Sequence, residues 1–304
     1  MTRVAIVTDD PGWHGARLRQ ALAVRGVESS YVSLTDCRFD LAEPEPRVVM
    51  PGFDAGAPDG VFVRGVAGGS LEQVTFHLAI LHALRRLGVA VYNDAGAIER
   101  TVDKGMTSFL LKRAGIATPP TWVTGRRDQA EGIVRRELEA GQRMVTKPLF
   151  GSQGEGLQLL EKPDAVAELT DHNGVFYLQR FVPSGNEPHD WRVFVINGKT
   201  VAAMRRCGVT WLNNVAQGAR CEPVRLDDLL LCRIAEDAVR AVGMAYAGVD
   251  IIRDPQGRYW VIEINSVPAW KGLQSVTDVN IAERLAEDFL GRCAAAAPPA
   301  QAIR

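Results

Sequence analysis

Strand and helix signals alternate over the first hundred residues of this chain and then stop alternating. No other feature constrains the fold as much. RVAIVT (3–8) is a β-branched run, and DDPGWHG follows it as a turn. ARLRQALAVRG then reads as a helix ending at Gly26, and Val27 to Leu34 as a second strand. The stretch 38–60 is rich in proline, glycine and acids and reads as loop. GVFVRG (60–65) is a strand, SLEQVTFHLAILHALRRLG (70–88) a strong helix, and VAVYN (89–93) a strand again. Strands separated by helices pair in parallel, so residues 1–102 are expected to form a small α/β domain.

Beyond this point antiparallel signals outnumber helices. Asp103 to Ala114 is helical and stops at Gly115, and TPPTW forces extended chain. EGIVRRELEAG reads as helix; RMVTKPL (143–149), LQLLE (157–161) and FYLQRFV (176–182) read as strands, with a short helix near 163–170. DWRVFVI (190–196) and KTVAAMRRC (199–207) are joined by Asn197-Gly198, a strong hairpin signal. A helix over 226–243, a second hairpin in AGVDIIRDPQGRYWVIEIN and a last helix over 276–291 complete the chain. The expected division is an N-terminal α/β domain (1–102), a central small α+β domain (103–183) and a C-terminal antiparallel α+β domain (184–304).

Bulk properties exclude several classes. A formal charge of -1 leaves no basic footprint for nucleic acid. No run approaches the ~18 apolar residues of a membrane span, and the start, MTRVAIVTDD, reads as a strand followed by acids rather than a signal peptide. Cys37, Cys207, Cys221, Cys232 and Cys293 form no CxxC pair, so neither a zinc site nor a disulfide framework is indicated. A reducing cytoplasm is the expected compartment.

The apolar strand YWVIEINSVP (259–268) carries two intruders, Glu263 and Asn265, on one face. If DPQG turns around Pro255-Gln256, Asp250 pairs with Val261 and lies on that same face, diagonal to Glu263. Such buried charges repel and are costly to desolvate. A hard cation removes both problems, and an all-oxygen donor set suits Mg²⁺ or Mn²⁺ rather than zinc. The ordinary alternative is that one acid is salt-bridged to an arginine and the others are exposed edge residues. Upstream, VTKPLFGSQGEG places Lys147 at a strand end just before Gly151, Gly154 and Gly156. Glycines let backbone N–H groups approach an anion, and an ammonium supplies a point charge for phosphate. The order of lysine and glycines differs from that of a P-loop, and such stretches are also ordinary flexible turns. With the acid cluster, phosphate plus Mg²⁺ becomes one coherent nucleotide site.

Lys104, Arg206 and Arg64 could each meet an anion or simply be solvated or paired. Asp190 and Arg192 share one strand face. His14, His77 and His82 have no common spacing with other ligands, and no Gly-x-Ser-x-Gly or Cys/His arrangement supports nucleophilic catalysis.

Taken in order, DKGMTSFLLKRAGIATPPT, MVTKPLFGSQGEGLQLL, YLQRFV, HDWRVFVINGKTVAAMRR, AGVDII and VIEINSVPAWKGLQ resemble the ATP-grasp ligases, most closely the RimK-like glutamate ligases. The likeness runs over nearly the whole chain. It implies an ATP-grasp fold with ATP between the central and C-terminal domains. It implies that Lys104 and Lys147 contact nucleotide phosphates, covered by the loop with Gly151, Ser152, Gln153 and Gly154. Gln179, Arg180, Phe181 and Val182 would hold adenine, with Asp190 on the ribose side. Asp250, Glu263 and Asn265 match the Mg²⁺ (or Mn²⁺) ligands. Arg206, Lys147 and Asn214 match the groups around the γ-phosphate and acyl centre, while Arg64, Arg192 and Ser266 fall where substrate is oriented.

The resemblance further implies ATP-dependent carboxylate–amine ligation through an acyl phosphate. Glutamate, or a similar amino acid, would be added to a small-molecule cofactor precursor or a peptide, and a homo-oligomer is compatible with it. There is one departure. Trp211 to Ala219 reads WLNNVAQGA, with Leu212, Ala216 and Gln217 where family members carry arginine, histidine and arginine. SVPAWKG likewise replaces a Ser-Pro-Gly turn, bringing in Trp270 and Lys271. An ATP-binding sensor, or a ligase with altered chemistry, therefore stands as the alternative.

Overall fold

The computed structural model describes residues 2–42, 44–151, 155–185, 187–211 and 218–296. The N-terminal part runs β1 (Arg3–Val7), α1 (Gly12–Ala23), β2 (Glu28–Val32), β3 (Arg38–Asp40), β4 (Arg47–Val49), β5 (Gly60–Val63), α2 (Leu71–Arg86) and β6 (Ala90–Tyr92). Four of these strands form a parallel sheet in the order β2-β1-β5-β6. The stretch expected as loop holds an antiparallel ribbon of β3 with β4, three residues a side and too short to show a periodicity. Ser70 starts α2 with a reciprocal cap: its hydroxyl accepts from the Gln73 N–H, and the Gln73 side chain accepts from the Ser70 N–H. A helix that the sequence reading passed over, α3 (Ala95–Val102), is capped by Asp94, which accepts from the Ala97 N–H.

The central part comprises α4 (Lys104–Arg113), β7 (Thr121–Thr124), α5 (Arg127–Glu139), β8 (Met144–Lys147), β9 (Gln158–Leu160) and β10 (Phe176–Arg180). Its sheet is antiparallel, in the order β7-β10-β8-β9, and α5 packs Ala130, Val134 and Leu138 on one face.

The C-terminal part comprises β11 (His189–Ile196), β12 (Lys199–Cys207), β13 (Arg220–Pro223), α6 (Leu229–Val242), β14 (Tyr246–Arg253), β15 (Tyr259–Asn265), α7 (Lys271–Gln274) and α8 (Ile281–Ala296). The sheet order is β13-β12-β11-β14-β15, all antiparallel. Asn197 and Gly198 both adopt positive φ, 50° and 70°, and Ile196 pairs with Lys199 across them. This is the two-residue turn that matches strand twist. The second hairpin corrects the expected register. Asp254 spreads the turn to Arg258 by accepting from the N–H groups of Gln256 and Arg258, so Arg253 pairs with Tyr259.

Packing crosses the sheet boundaries. Helix α8 returns to the N-terminal sheet, where Phe289 lies 5.3 Å from Phe62 and 5.7 Å from Tyr92. Phe194, Tyr246 and Trp270 of the C-terminal part join the same buried cluster. Each such fully buried aromatic contributes about 2 kcal/mol of apolar burial, so the N- and C-terminal sheets share one core. Among the described residues no helix is long and apolar enough to cross a membrane.

Candidate functional site

A cleft of about 490 Å³ opens between the central and C-terminal sheets. Its C-terminal floor depends on a bulge in the β14–β15 ribbon. Ile251 pairs with Val261, but the register then shifts so that Asp250 stands directly opposite Glu263 and Gly248 opposite Asn265. An unpaired extra residue re-aims its neighbours. Val261 and Ile264 consequently enter the core, while Ile262, Glu263 and Asn265 line the cleft. The expected pairing of Asp250 with Val261 is thus wrong by register, yet the two acids meet more directly than expected.

Asp250 is the centre of an ion-pair network. Both of its oxygens accept from Arg192, the Nη2 bond being 2.8 Å, and Arg206 Nη2 lies 3.0 Å from Oδ2. Arg206 also makes a two-pronged pair with Asp190, at 2.7 Å and 2.7 Å. Register places these groups: Asp190 is opposite Arg206, and Arg192 is opposite Asp250. Burial works against the Asp250 charge, but Arg192 and Arg206 more than offset it and hold its carboxyl below the usual range. Burial pushes Asp190 up to about 6 against the pull of Arg206, which leaves it ionised at neutral pH. The simpler alternative, an acid salt-bridged to arginine, therefore describes Asp250 as it stands here. Glu263 has no ion pair among the described residues, and the Asn265 amide nitrogen lies 3.5 Å from Asp250 Oδ2.

The opposite wall is basic. Lys147, at the end of β8, is buried and donates to Gln179 Oε1 at 2.8 Å. Burial, with a smaller push from Lys104, lowers its pKa to about 8 against the upward pull of Glu263 and Asp250. Lys104 stands at the first position of α4 behind the Asp103 cap, and its Nζ donates to the Gly151 carbonyl at 2.8 Å. Burial lowers its pKa too, so it is not the freely solvated lysine of the simpler reading. Gln179 is pinned by the Thr121 and Tyr177 hydroxyls, each at 3.0 Å. Arg180 is pinned by Glu137 at 2.6 Å.

The structure thus gathers Lys104, Lys147, Gly151, Gln179, Arg180, Phe181, Val182, Asp190, Arg192, Arg206, Asp250, Glu263 and Asn265 around one cleft. Ser152, Gln153, Gly154 and Asn214 lie outside the described residues. Arg64 and Ser266 are not among the lining residues. Arg64 sits behind the cleft wall, donating to the Pro268 carbonyl at 3.1 Å, and Ser266 is buried. Sequence reasoning missed Asn93, which is fully buried. Its amide donates to the carbonyls of Tyr246 and Ser266 and accepts from the N–H groups of Ala245 and Tyr246. A lone asparagine at a strand end carried no signal of that role. His14 was also passed over; its Nε2 accepts from the backbone N–H groups of Trp270 and Lys271 at 3.0 Å and 3.2 Å.

Among the described residues no three His, Cys, Asp or Glu side chains cluster as a metal site. The ribbon instead offers two carboxylates and an amide, all hard oxygen donors. They fit a divalent cation, with Glu263 and Asn265 available and Asp250 shared with its arginines.

Comparison with known proteins gives consistent relatives. The RimK-like ATP-grasp domain matches residues 101–289, and the RimK PreATP-grasp domain matches residues 2–98. The chain is 35% identical over 241 residues to the tetrahydromethanopterin:alpha-L-glutamate ligase of Methanocaldococcus jannaschii, covering 76% of this chain and 79% of that protein. It is 30% identical to a probable alpha-L-glutamate ligase of Teredinibacter turnerae, with 94% of both chains covered. Its fold resembles the ATP-grasp ligase PsnB, solved with a minimal precursor, Mg and ADP, at a TM-score of 0.73 and 21% identity, covering 96% of this chain and 98% of that one.

Proposed function

This chain belongs to the RimK-like ATP-grasp family, and from that membership we propose that its cleft joins a carboxylic acid to an amine at the expense of ATP. The observation that carries the reading is the opposition of Lys104 and Lys147 to Asp250 and Glu263 across one cleft, with Gln179 to Val182 at its inner edge. Two ammonium groups suit the phosphates of a nucleotide, and the carboxylates suit the divalent cation that travels with them. Glu263, Asn265 and Asp250 would hold Mg²⁺ or Mn²⁺, which neutralises charge on the phosphates.

In this reading a substrate carboxylate oxygen attacks the γ-phosphorus. The bond from that phosphorus to the β–γ bridging oxygen breaks and ADP leaves, giving an acyl phosphate. The amine attacks the acyl carbon, a C–N bond forms, and the acyl C–O bond breaks with release of phosphate. The nitrogen loses a proton. Lys147 and Arg206 stabilise the charge spread over the transferring phosphoryl group. No side chain need become covalently modified. The relatives add glutamate by name, so an amino acid of this kind is the proposed amine. Its acceptor is a small cofactor precursor or a peptide.

The test is a matrix of candidate acids and amino acids, with ADP read by a coupled assay and amide product by mass. ADP release that requires both an acid and an amine supports ligation. Nucleotide binding with no product across the matrix would favour a sensor instead.

A further inference from the structure

Behind Lys147 a chain of polar side chains runs through four elements of the central part. Lys147 on β8 donates to Gln179 Oε1 on β10 at 2.8 Å. The Gln179 amide nitrogen donates to the Thr121 hydroxyl on β7 and to the Tyr177 hydroxyl on β10, both at 3.0 Å. The Tyr177 hydroxyl also meets the Ser108 hydroxyl on α4 at 2.9 Å. Lys147, Gln179, Tyr177 and Ser108 are all buried. Register brings them together. Tyr177 stands opposite Lys147 on one side of β10, and Gln179 stands opposite Thr121 on the other. Two residues apart on one strand, Tyr177 and Gln179 share a face.

The direction of these bonds is fixed. Thr121 donates its hydroxyl proton to the Pro119 carbonyl at 2.8 Å, so towards Gln179 it can only accept. An amide nitrogen has two hydrogens, and here both are engaged. The amide oxygen therefore faces Lys147. A turned amide would set N–H groups against an ammonium, and Thr121 would have no proton for the oxygen it then met. Of the three ammonium hydrogens one goes to Gln179, and Lys147 lines the cleft, where the others are available to a ligand. Burial favours the neutral amine, and so does Lys104 of α4; Glu263 and Asp250 of the β14–β15 ribbon favour the ammonium. The Tyr177 ring lies 5.8 Å from Nζ. Gln179 Oε1 touches the charge itself, and a hydrogen bond accepted from the charged form favours that form.

We propose that Gln179, with its amide oriented by Thr121 and Tyr177, is a positioning residue that keeps Lys147 charged and aimed into the cleft. The ligand so served is an anion, the phosphate of a nucleotide. This assignment rests on the reading above for the identity of that ligand, though not for the charge of Lys147. The Gln179 side chain acts on the cleft through Lys147. Thr121 and Tyr177 stand one step further back: loss of either hydroxyl leaves the amide held by the other, and loss of both frees it to turn.

The test is a carbon-13 NMR titration of lysine-labelled protein, run first without nucleotide. The Lys147 signal is assigned by its absence from Lys147→Arg, and its wild-type midpoint is expected at about 8. Gln179→Met should lower that midpoint by about one pH unit, the effect of losing a hydrogen bond to a charged group. Tyr177→Phe combined with Thr121→Val should lower it too, and either change alone should lower it less. Gln179→Glu, which sets a carboxylate against the ammonium, should raise it, and carries the same test should Gln179→Met fail to fold. A midpoint that stays in place in these Gln179 variants overturns the proposal, because a structural role alone would alter stability and not the titration. A midpoint that moves there but not in the double hydroxyl variant removes Thr121 and Tyr177 from it. ADP affinity, measured by calorimetry over the same pH range, should fall at the midpoint found for each variant. Midpoints that move while ADP affinity does not follow would remove the nucleotide reading and leave the assignment of Gln179 standing.

Discussion

Two kinds of charge share this cleft. In its middle, Asp190, Arg206, Asp250 and Arg192 are matched one against another through short, two-pronged pairs. At its sides, Lys104 and Lys147 on the central wall and Lys271 on the C-terminal turn have no ion pair among the described residues, and neither does Glu263. Matched charges satisfy one another and stiffen the sheet that carries them. Unmatched ones keep their field for whatever enters. On this division Asp250 and Arg206 are part of the scaffold as much as of the metal set and the phosphoryl site proposed for them, whereas Glu263 and Lys147 are available for ligand.

The contrast can be broken by mutation. The largest effect is expected at Glu263. Glu263→Ala should lower ADP formation about a thousandfold, equivalent to about 4 kcal/mol of transition-state stabilisation, with an unchanged thermal midpoint. Full turnover in this variant would remove Glu263 from the metal set. Asp250→Ala should behave differently, because it strands Arg192 and part of Arg206. It is expected to lose activity and also about 3–5 kcal/mol of stability, read by denaturant unfolding. Equal stability of the two variants would erase the distinction drawn here.

A pH profile sharpens the comparison. The Lys147 ammonium is present below about 8 and lost above it, so kcat/KM for ATP should fall as pH rises through that value. Lys147→Arg, which does not titrate there, should flatten the alkaline limb even if its rate is lower. The smallest effect belongs to a matched acid far from the chemistry. Asp228 caps α6 by accepting from the Leu231 N–H and also accepts from the Tyr259 hydroxyl. Asp228→Ala should cost about 1–2 kcal/mol of stability and leave KM for ATP unchanged.

Much of this was legible from residue order. The alternation of strand and helix specified the parallel sheet, and Asn197-Gly198 specified its hairpin, because only such residues accept two positive φ values cheaply. Lys147, Asp250 and Glu263 were conspicuous because charges inside apolar strands need a reason. The second hairpin was misread because Asp254 accepts two N–H bonds and widens the turn, and the bulge near Ile262 then shifts the pairing again. Neither event has a local pattern. The small ribbon at 38–49 and helix α3 were too short for periodicity to show. Asn93 and His14 were invisible for a different reason: each acts on backbone far away in the chain, 153 and 256 residues off at Tyr246 and Trp270.

The amino-acid order alone determined which segments become strands, which carry charge in apolar surroundings, and which family the chain resembles, since these depend on neighbours a few residues apart. Only the tertiary structure decided that Asp250 is shared between two arginines, that Arg64 braces the wall instead of lining it, and that Lys271 lines the cleft with no ion pair among the described residues. Ion pairing and burial depend on distances in space, and those are set when three sheets pack, not when a strand forms.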